Sequence, residues 1–356
     1  MRKVLSVVGT RPNLMKTAPV IAALERRGIE QVLVHTGQHY DELMSDVFFR
    51  ELALREPDHF LEIGSGSHAA QTARVMERLE PVLLREQPDL VLVPGDVNST
   101  MAAALVAVKL GFEVGHIEAG LRSRDWSMPE EVNRVVTDTV SSLLFIHSPE
   151  ARENLLREGH DERQIHYVGN TMIDTLVAMR ERIPPPRGRR HLVVTLHRPA
   201  LVDGPLLAEA ARQLNALAER MPVIFPAHPR TRAALDAQGL DVQGMTDPVG
   251  YVDFLGLVAD AAAVLTDSGG IQEETTFLGV PCFTLRDNTE RPVTIELGTN
   301  VLLGLRPERI AELPTLIEDA RSRRNGALPP YWDGAAAERV AGVVASHEVI
   351  RRRSCR

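Results

Sequence analysis

The stretch Thr266-Asp-Ser-Gly-Gly-Ile-Gln-Glu-Glu-Thr-Thr-Phe-Leu-Gly-Val-Pro281 comes directly after the apolar run Ala262-Ala-Val-Leu265. Together they predict a buried strand that turns at once into a helix. Ser268 is a candidate N-cap, and because two glycines follow it, a phosphate can approach the free N–H groups of the first helical turn. Glu274, one turn later, suits the hydroxyls of a ribose. The stretch favours a nucleoside diphosphate site; the alternative is an ordinary strand–helix turn in which the glycines serve only tight geometry.

Short apolar runs alternate with helical stretches along most of the chain. Continuous Val/Leu/Ile runs are typical of strands covered on both faces, and strands that alternate with helices predict a parallel sheet. The expected fold class is therefore α/β, with two Rossmann-like doubly wound domains. The predicted strands are 4–8, 31–35, 90–94, 114–117 and 143–146 in a first series, and 191–195, 223–225, 242–245, 263–265 and 281–285 in a second.

A length of 356 residues suits two domains. The run Pro184-Pro-Pro-Arg-Gly-Arg-Arg190 is typical of a stiff, exposed linker. We therefore expect an N-terminal domain over 1–183, a linker over 184–190 and a C-terminal domain over 191–340. A C-terminal helix over 341–356 is expected to pack back on the N-terminal domain. Ligands of such sheets bind beyond the carboxyl ends of the strands.

Composition excludes several classes of protein. A net charge of −8 argues against a nucleic-acid partner. Two cysteines, Cys282 and Cys355, are too few for a disulfide framework and suit a reducing cytosol. The sequence has no apolar run of 18 residues and no signal peptide, so we expect a soluble cytoplasmic protein without a membrane partner.

Three groups of carboxylates are candidate functional residues. Asp96 and Glu118 come at predicted strand ends, and the pair Glu130 and Glu131 follows Met128-Pro129, with the proline at the start of a predicted helix. Carboxylates crowded into a partly dry cleft have raised pKa values, which suits acid–base catalysis near neutral pH. The structural alternatives are that Asp96 caps a turn over 97–100 and that one of the paired glutamates only complements a helix dipole.

His197 and His228 each stand beside an arginine at a strand end, which favours phosphate binding over a metal site. The sequence has no His-Glu-x-x-His motif and no close metal-ligand spacing, so no metal is expected. Arg11 and Lys16 bracket the first helix and can clamp a diphosphate. Neither a P-loop nor a GxGxxG motif is present, and no cofactor is expected.

Four motifs, in this order, resemble those of the non-hydrolysing UDP-N-acetylglucosamine 2-epimerases. They are His116-Ile-Glu-Ala-Gly-Leu-Arg122, Pro129-Glu-Glu-Val-Asn-Arg134, Ser268-Gly-Gly-Ile-Gln-Glu-Glu274 and Thr289-Glu-Arg-Pro292. The resemblance implies a GT-B arrangement with the active site in the interdomain cleft, and a cytosolic homodimer. It also implies reversible conversion of UDP-GlcNAc to UDP-ManNAc through elimination and re-addition of UDP, with a 2-acetamidoglucal intermediate and without metal or nicotinamide.

The resemblance assigns a role to each matching residue. The implied catalytic residues are Asp96, Glu118, Glu130 and His197. The implied UDP-sugar ligands are Arg11, Lys16, Arg134, His228, Ser268, Gly269, Gly270, Glu274 and Arg291. Residues that can bind an activating second substrate molecule are Gln38, His39 and Arg74.

The sequence also departs from the family pattern. Asn13 replaces a common glutamate, and His197-Arg-Pro-Ala-Leu201 replaces His-Arg-Arg-Glu-Asn. Gln38-His-Tyr-Asp41 replaces Gln-His-x-Gln in the activator segment, which places substrate activation in doubt. Three alternatives stay open: a hydrolysing epimerase that releases ManNAc and UDP, a GT-B UDP-sugar glycosyltransferase, and a non-catalytic UDP-sugar sensor.

Overall fold

The computed structural model describes residues 3–38, 52, 54–188, 190–322 and 328–348. The chain forms two compact units: Met1–Ala178 with Pro330–Arg356, and Met179–Pro329. Each unit contains its own parallel sheet. This confirms the predicted α/β class with two doubly wound domains.

The first unit is built on a seven-stranded sheet with the order β3-β2-β1-β4-β5-β6-β7. Its strands are β1 Lys3–Val8, β2 Glu30–His35, β3 His59–Phe60, β4 Leu90–Pro94, β5 Glu113–Ile117, β6 Leu143–Ile146 and β7 Ile165–Tyr167. The central strand β4 is buried along its whole length, as its unbroken apolar sequence predicts. Because neighbouring strands run parallel, the residues that follow β1, β4 and β5 lie at the same edge of the sheet.

The helices of the first unit connect these strands. Three of them begin with proline in the first turn, where its missing N–H leaves no helical hydrogen bond unmade: Pro12, Pro129 and Pro149. The helices are α1 Arg11–Arg26, α2 His68–Glu86, α3 Asn98–Lys109, α4 Pro129–Val140, α5 Pro149–Arg157 and α6 Thr171–Met179, with a 3₁₀ turn at Glu162–Gln164. A further 3₁₀ turn, Arg180–Arg182, lies at the start of the second unit.

The second unit is built on a six-stranded sheet with the order β10-β9-β8-β11-β12-β13. Its strands are β8 His191–Thr195, β9 Val223–Pro226, β10 Met245–Thr246, β11 Ala261–Thr266, β12 Cys282–Thr284 and β13 Asn300–Leu302. The strand predicted over 242–245 is wrong except at Met245, because Gly244 has a φ of +85° that interrupts extended backbone. Its helices are α7 Pro199–Val202, α8 Leu206–Ala218, α9 Pro229–Ala237, α10 Tyr251–Ala259, α11 Gly269–Leu278, α12 Val293–Glu296 and α13 Leu313–Ser322, with a 3₁₀ turn at Pro307–Glu312.

The last described helix, α14 Ala336–Ser346, belongs to the first unit. Val340 and Val344 are buried in the same apolar cluster as Val4 and Val20. The second domain therefore ends at Pro329 rather than at residue 340, because the following residues bury their apolar side chains in the first unit. It also begins at Met179, before the predicted linker, and α14 begins five residues before the predicted 341.

Asp174 holds the start of α14. Its two carboxylate oxygens accept hydrogen bonds from the backbone N–H groups of Ala336, at 3.1 Å, and Ala337, at 2.6 Å. Burial raises the pKa of Asp174 to about 6, although the two N–H groups act against this shift. Within the described residues, no helix combines the length and apolar character needed to cross a membrane.

Candidate active site

Glu118 and Lys16 form a buried ion pair in the first unit. Glu118 directly follows β5 and has a φ of +71°, which is left-handed backbone for a residue other than glycine. The N–H groups of Glu118 and Ala119 both donate to the carbonyl of Phe145, at 3.0 Å each. Strain of this kind costs about 1–3 kcal/mol and is concentrated at functional sites. The conformation therefore identifies Glu118 as a candidate functional carboxylate.

Gly95, which follows β4, lies against this ion pair. Its φ is +64°, and a Cβ at this position would lie 3.1 Å from Nζ of Lys16 and 3.4 Å from Oε2 of Glu118. It would also lie 3.3 Å from Nδ2 of Asn13. Glycine is therefore required both by the backbone conformation and by the close approach of these side chains.

Asn13, one of the departures from the family pattern, ties two strand ends together. Its Oδ1 accepts from the backbone N–H groups of Gly9, at 3.3 Å, and Thr10, at 3.2 Å. Its Nδ2 donates to the carbonyl of Pro94 at 2.9 Å. The amide thus connects the loop after β1 to the end of β4, beside Gly95.

The structure separates the roles of Glu130 and Glu131. Glu131 is buried, accepts from the N–H groups of Ser123 (2.9 Å) and Arg124 (2.7 Å), and pairs with Arg134 at 2.7 Å. Burial would raise the pKa of Glu131, but these N–H groups and Arg134 outweigh it and hold that pKa below its usual value. Glu131 is therefore the structural member of the pair, and the half-buried Glu130 is the candidate for catalysis.

Asp96 lies after β4 and forms an ion pair with Arg134. Arg134, which was predicted to bind UDP, is almost completely buried on α4 and contacts both Asp96 and Glu131. The amide of Asn133 donates to the backbone carbonyl of Asp96 at 2.8 Å. The first turns of α4 thus fix the position of Asp96. The assignment of Arg134 to UDP stays a prediction.

A fully buried hydrogen-bond network contacts the carbonyl of Gly95 and was not predicted from the sequence. The ring of His116 places Nδ1 2.6 Å from a carboxylate oxygen of Asp138 and Nε2 2.7 Å from the carbonyl of Gly95. Asp138 also pairs with Arg122 at 2.7 Å. Burial would raise the pKa of Asp138, but His116 and Arg122 outweigh it and hold that pKa below its usual value. His116 and Arg122 open and close one of the quoted motifs, but for Asp138 the sequence signal was only that it lies one turn after Arg134 on α4.

The Lys16–Glu118 pair opens into a small pocket of the first unit. The pocket lies at the carboxyl ends of β5, β6 and β7 and at the start of α6. The lining residues are Lys16, Ile117, Glu118, His147, Gly169, Asn170 and Thr171. The last four were not singled out from the sequence, although each follows a strand of the same sheet edge.

In the second unit, Asp267 positions the candidate catalytic His197. Its carboxylate lies 3.0 Å from Nδ1 of His197 and accepts from the backbone N–H groups of His197 (2.9 Å) and Arg198 (2.8 Å). Burial would raise the pKa of Asp267, but His197 and the two N–H groups hold it below its usual value. This contact places Nδ1 of the imidazole beside the buried carboxylate. His228 lies nearby, with ring centroids 6.0 Å apart.

Ser268 occupies the N-cap position of α11, as predicted, although its side chain makes no capping hydrogen bond. A Cβ on Gly269 would collide with Arg291 and approach Oε1 of Glu290 to 2.8 Å. The glycine is therefore needed for these side chains to pack against the helix start. Gly270, the next residue, is half-buried.

Arg291 is buried between carboxylates in the second unit: it pairs with Glu273 at 2.9 Å and with Glu290. Burial would raise the pKa of Glu290, but Arg291, Arg286 and Arg198 hold it well below its usual value. Glu274 is also buried, and Tyr251 donates its hydroxyl to Glu274 at 2.7 Å. These contacts hold the Arg291 guanidinium near the start of α11, between carboxylates that match its charge.

The remaining predicted residues are Arg11, His228, Gln38, His39 and Arg74. Arg11 is half-buried at the first position of α1, and the exposed His228 accepts from the N–H of Arg230 at 3.2 Å. Gln38 is buried and accepts from the backbone and hydroxyl of Ser99, at 3.1 and 2.7 Å. The half-buried Arg74 donates to the carbonyl of Ser65 at 2.9 Å. His39 lies outside the described residues, and the activator role of all three stays a prediction.

Two parallel sheets, with polar clusters beyond the carboxyl ends of their strands, place the chain among the doubly wound α/β proteins that bind ligands at strand ends. Within that class, the model of the family described as UDP-N-acetylglucosamine 2-epimerase matches residues 22–345. The chain belongs to this family, which confirms the resemblance inferred from its motifs.

Individual relatives agree over nearly the full length. A UDP-N-acetylglucosamine 2-epimerase of Methanococcus maripaludis is 41% identical, over 97% of this chain and 98% of its own. A UDP-2,3-diacetamido-2,3-dideoxy-D-glucuronate 2-epimerase of Pseudomonas aeruginosa is 39% identical, over 96% and 99%. The crystal structure of Methanocaldococcus jannaschii UDP-GlcNAc 2-epimerase in complex with UDP-GlcNAc and UDP is 40% identical, covers 97% of this chain and 100% of that one, and has a TM-score of 0.88.

Proposed function

We propose that this protein interconverts UDP-GlcNAc and UDP-ManNAc by inverting C2, and that it keeps the nucleotide in the product. The activity of the relatives and the structure of one of them with UDP-GlcNAc and UDP support this substrate. The observation that carries the proposal is the strained, buried Glu118, held against Lys16 and Gly95 in the first unit. A cytoplasmic homodimer is the proposed physiological form.

The proposed chemistry follows from the difficulty of removing an unactivated C2 proton. The bond between C1 and the UDP oxygen breaks with loss of the C2 proton, and the electrons of the C–H bond form a C1=C2 double bond. The products are UDP and a bound 2-acetamidoglucal. UDP then adds back to C1 while a proton is delivered to the opposite face of C2. This sequence needs one base, one acid and cationic groups that hold UDP as it leaves.

The described residues can supply each part. Asp96, Glu118 and Glu130 are the proposed acid–base groups, because the first two are fixed by ion pairs at neighbouring strand ends and the third is in the first turn of α4. His197, oriented by Asp267, and the buried Arg291 are the proposed partners of the leaving diphosphate.

Proton and phosphorus NMR of the protein with UDP-GlcNAc in heavy water tests the reaction. We expect UDP-ManNAc, with deuterium at C2 of the product. Free ManNAc together with UDP would instead indicate the hydrolysing reaction. If neither sugar forms, the proposal is wrong and a transferase acceptor has to be sought.

Replacement of Glu118 by Gln tests the residue that carries the argument. We expect the turnover rate to fall by about 10²–10⁴-fold, the range for a lost acid–base group, with UDP affinity retained. Glu86→Gln is the matched control, because Glu86 also pairs with a lysine of the first unit, Lys3 at 2.9 Å, but outside the site. Equal turnover in the two variants would refute the role of Glu118.

A second substrate deserves a direct comparison because the Pseudomonas aeruginosa relative acts on a 2,3-diacetamido uronate and is nearly as similar as the first. The ratio of kcat/KM values for UDP-GlcNAc and UDP-2,3-diacetamido-2,3-dideoxy-D-glucuronate measures the preference directly. We expect UDP-GlcNAc to be preferred. A higher value for the uronate would move the proposal to that sugar while leaving the C2 chemistry unchanged.

A further inference from the structure

Asn170, just before α6, has a buried amide of which only one end is used. The side chain belongs to a residue that is 4% exposed. Its Oδ1 accepts from the backbone N–H of Met172 at 2.9 Å. Because an N–H group needs an acceptor, this contact fixes the orientation of the amide and leaves Nδ2 on the opposite side. Nδ2 is buried and has no hydrogen-bond acceptor among the described residues.

An unpaired donor of this kind is costly. A buried polar group without a partner destabilises the folded protein by about 1–3 kcal/mol, and most buried groups are therefore paired. Serine or aspartate at position 170 would cap the helix equally well, and neither would bury a second donor. The unpaired Nδ2 of Asn170 is explained if a bound ligand supplies its acceptor.

The position of Asn170 indicates what that acceptor is. Asn170 lines the same pocket as Lys16 and Glu118. The opposite charges of these two side chains balance each other in their ion pair, so together they present no net charge to a ligand. A pocket with a neutral amide donor beside a balanced ion pair suits an uncharged oxygen better than a phosphate.

We propose that Asn170 is a substrate-positioning residue, whose Nδ2 donates to an uncharged oxygen of the sugar, either a hydroxyl or the acetamido carbonyl, and holds the sugar beside Glu118. This inference rests on the proposed function for the identity of the sugar. It assigns to the first unit a binding contact that none of the motif residues provides.

Two substitutions remove the donor and keep the cap. Asn170→Asp is nearly isosteric and still accepts from Met172, but it has no amide hydrogen. Asn170→Ser keeps a capping oxygen without adding a charge near Glu118. The matched control is Asn215→Asp, because Asn215 accepts from Gln243 at 2.8 Å and donates to the carbonyl of Asp241 at 2.8 Å, both within the second unit.

The experiment measures kcat and KM for UDP-GlcNAc, the affinities for UDP-GlcNAc and for UDP by calorimetry, and the melting temperature. For both Asn170 variants we expect kcat/KM to fall by about 10–100-fold, as for one lost hydrogen bond in a dry site. The affinity for UDP-GlcNAc should fall relative to wild type, while the affinity for UDP and the melting temperature stay close to wild type. Asn215→Asp should keep the wild-type kcat/KM.

The outcomes separate this inference from the proposed function. Wild-type kcat/KM in both Asn170 variants would overturn the inference. Equal losses of affinity for UDP and for UDP-GlcNAc would also overturn it, because a residue that only caps the helix affects the binding of both ligands or of neither. If the wild-type protein binds UDP-GlcNAc without converting it, the proposed function fails. In that case a selective loss of UDP-GlcNAc affinity in the Asn170 variants still supports the sugar contact.

Discussion

Replacement of Gly95 by alanine tests whether the absence of a side chain at this position is needed for the geometry of the Lys16–Glu118 ion pair. Gly95 has a φ of +64°, and an added Cβ would lie 3.1 Å from Nζ of Lys16 and 3.4 Å from Oε2 of Glu118. The approach to Nζ of Lys16 is tighter than an ordinary Cβ contact, whereas the approach to Oε2 of Glu118 is at the lower limit of ordinary van der Waals separation, so Lys16, and with it the ion pair, has to move by a few tenths of an ångström. The network through His116 holds the Gly95 carbonyl at 2.7 Å and limits how far the backbone can yield.

Two terms set the size of the effect. Left-handed backbone costs a residue with a Cβ about 1–2 kcal/mol, of which the lower entropy of the unfolded alanine chain offsets about 0.4–1 kcal/mol. The net loss of stability is then about 1 kcal/mol from the backbone alone. Displacement of reacting groups acts on the rate instead, and a shift of about 1 Å can cost about 100-fold. For the smaller shift required here we expect kcat to fall by at least about 10-fold.

Gly28→Ala is the matched control. Gly28 follows α1 in the same unit and has a φ of +69°, but nothing lies within 4 Å of an added Cβ. Both variants therefore carry the same backbone cost, and only Gly95→Ala presses on the ion pair. Urea unfolding should show similar losses of about 1 kcal/mol, while the NMR assay should show a large loss of turnover in Gly95→Ala alone. If kcat in the two variants agrees within about twofold, the reasoning about the site is refuted.

Two further predictions concern buried carboxylates of the first unit. The pKa of Asp174, raised to about 6 from an ordinary value of 3.8, means that its stabilising contribution is complete below about pH 4 and lost as the pH rises through 6. The unfolding free energy of wild type relative to Asp174→Asn should accordingly fall by up to about 3 kcal/mol between pH 4 and pH 7, and a pH-independent difference in urea titrations would contradict this. Glu131→Gln should destabilise the protein by about 3–5 kcal/mol because Arg134 loses a buried partner, whereas Glu130→Gln should keep wild-type stability and lose turnover. Unfolding and turnover measurements on both variants check this assignment. If Glu131→Gln lost only turnover and Glu130→Gln lost only stability, the roles of the two residues would be exchanged.

Much of the fold was predictable because it depends on local patterns. The unbroken apolar runs at β4 and β6 predicted strands that are buried in parallel sheets. Proline in the first turn marked the start of α4. The prediction of a strand over 242–245 was wrong except at Met245, because residue type alone does not show that Gly244 has left-handed backbone. Domain boundaries were predicted less well, since proline-rich composition marks exposed chain but not the unit to which the flanking residues pack.

The sequence by itself determined that this chain forms two doubly wound domains, and that Asp96, Glu118 and the glutamate pair follow strand ends or open a helix. These properties depend on residue type and spacing within about ten positions. Only the tertiary structure decided that Lys16 pairs with Glu118, 102 residues away. It also decided that Glu131, rather than Glu130, accepts the hydrogen bond from the backbone N–H of Ser123. It also decided that His116 is held by Asp138 beneath Gly95. The physical reason is that periodicity specifies which face of an element is buried, whereas the pairing of polar side chains depends on register between elements that are distant in the chain.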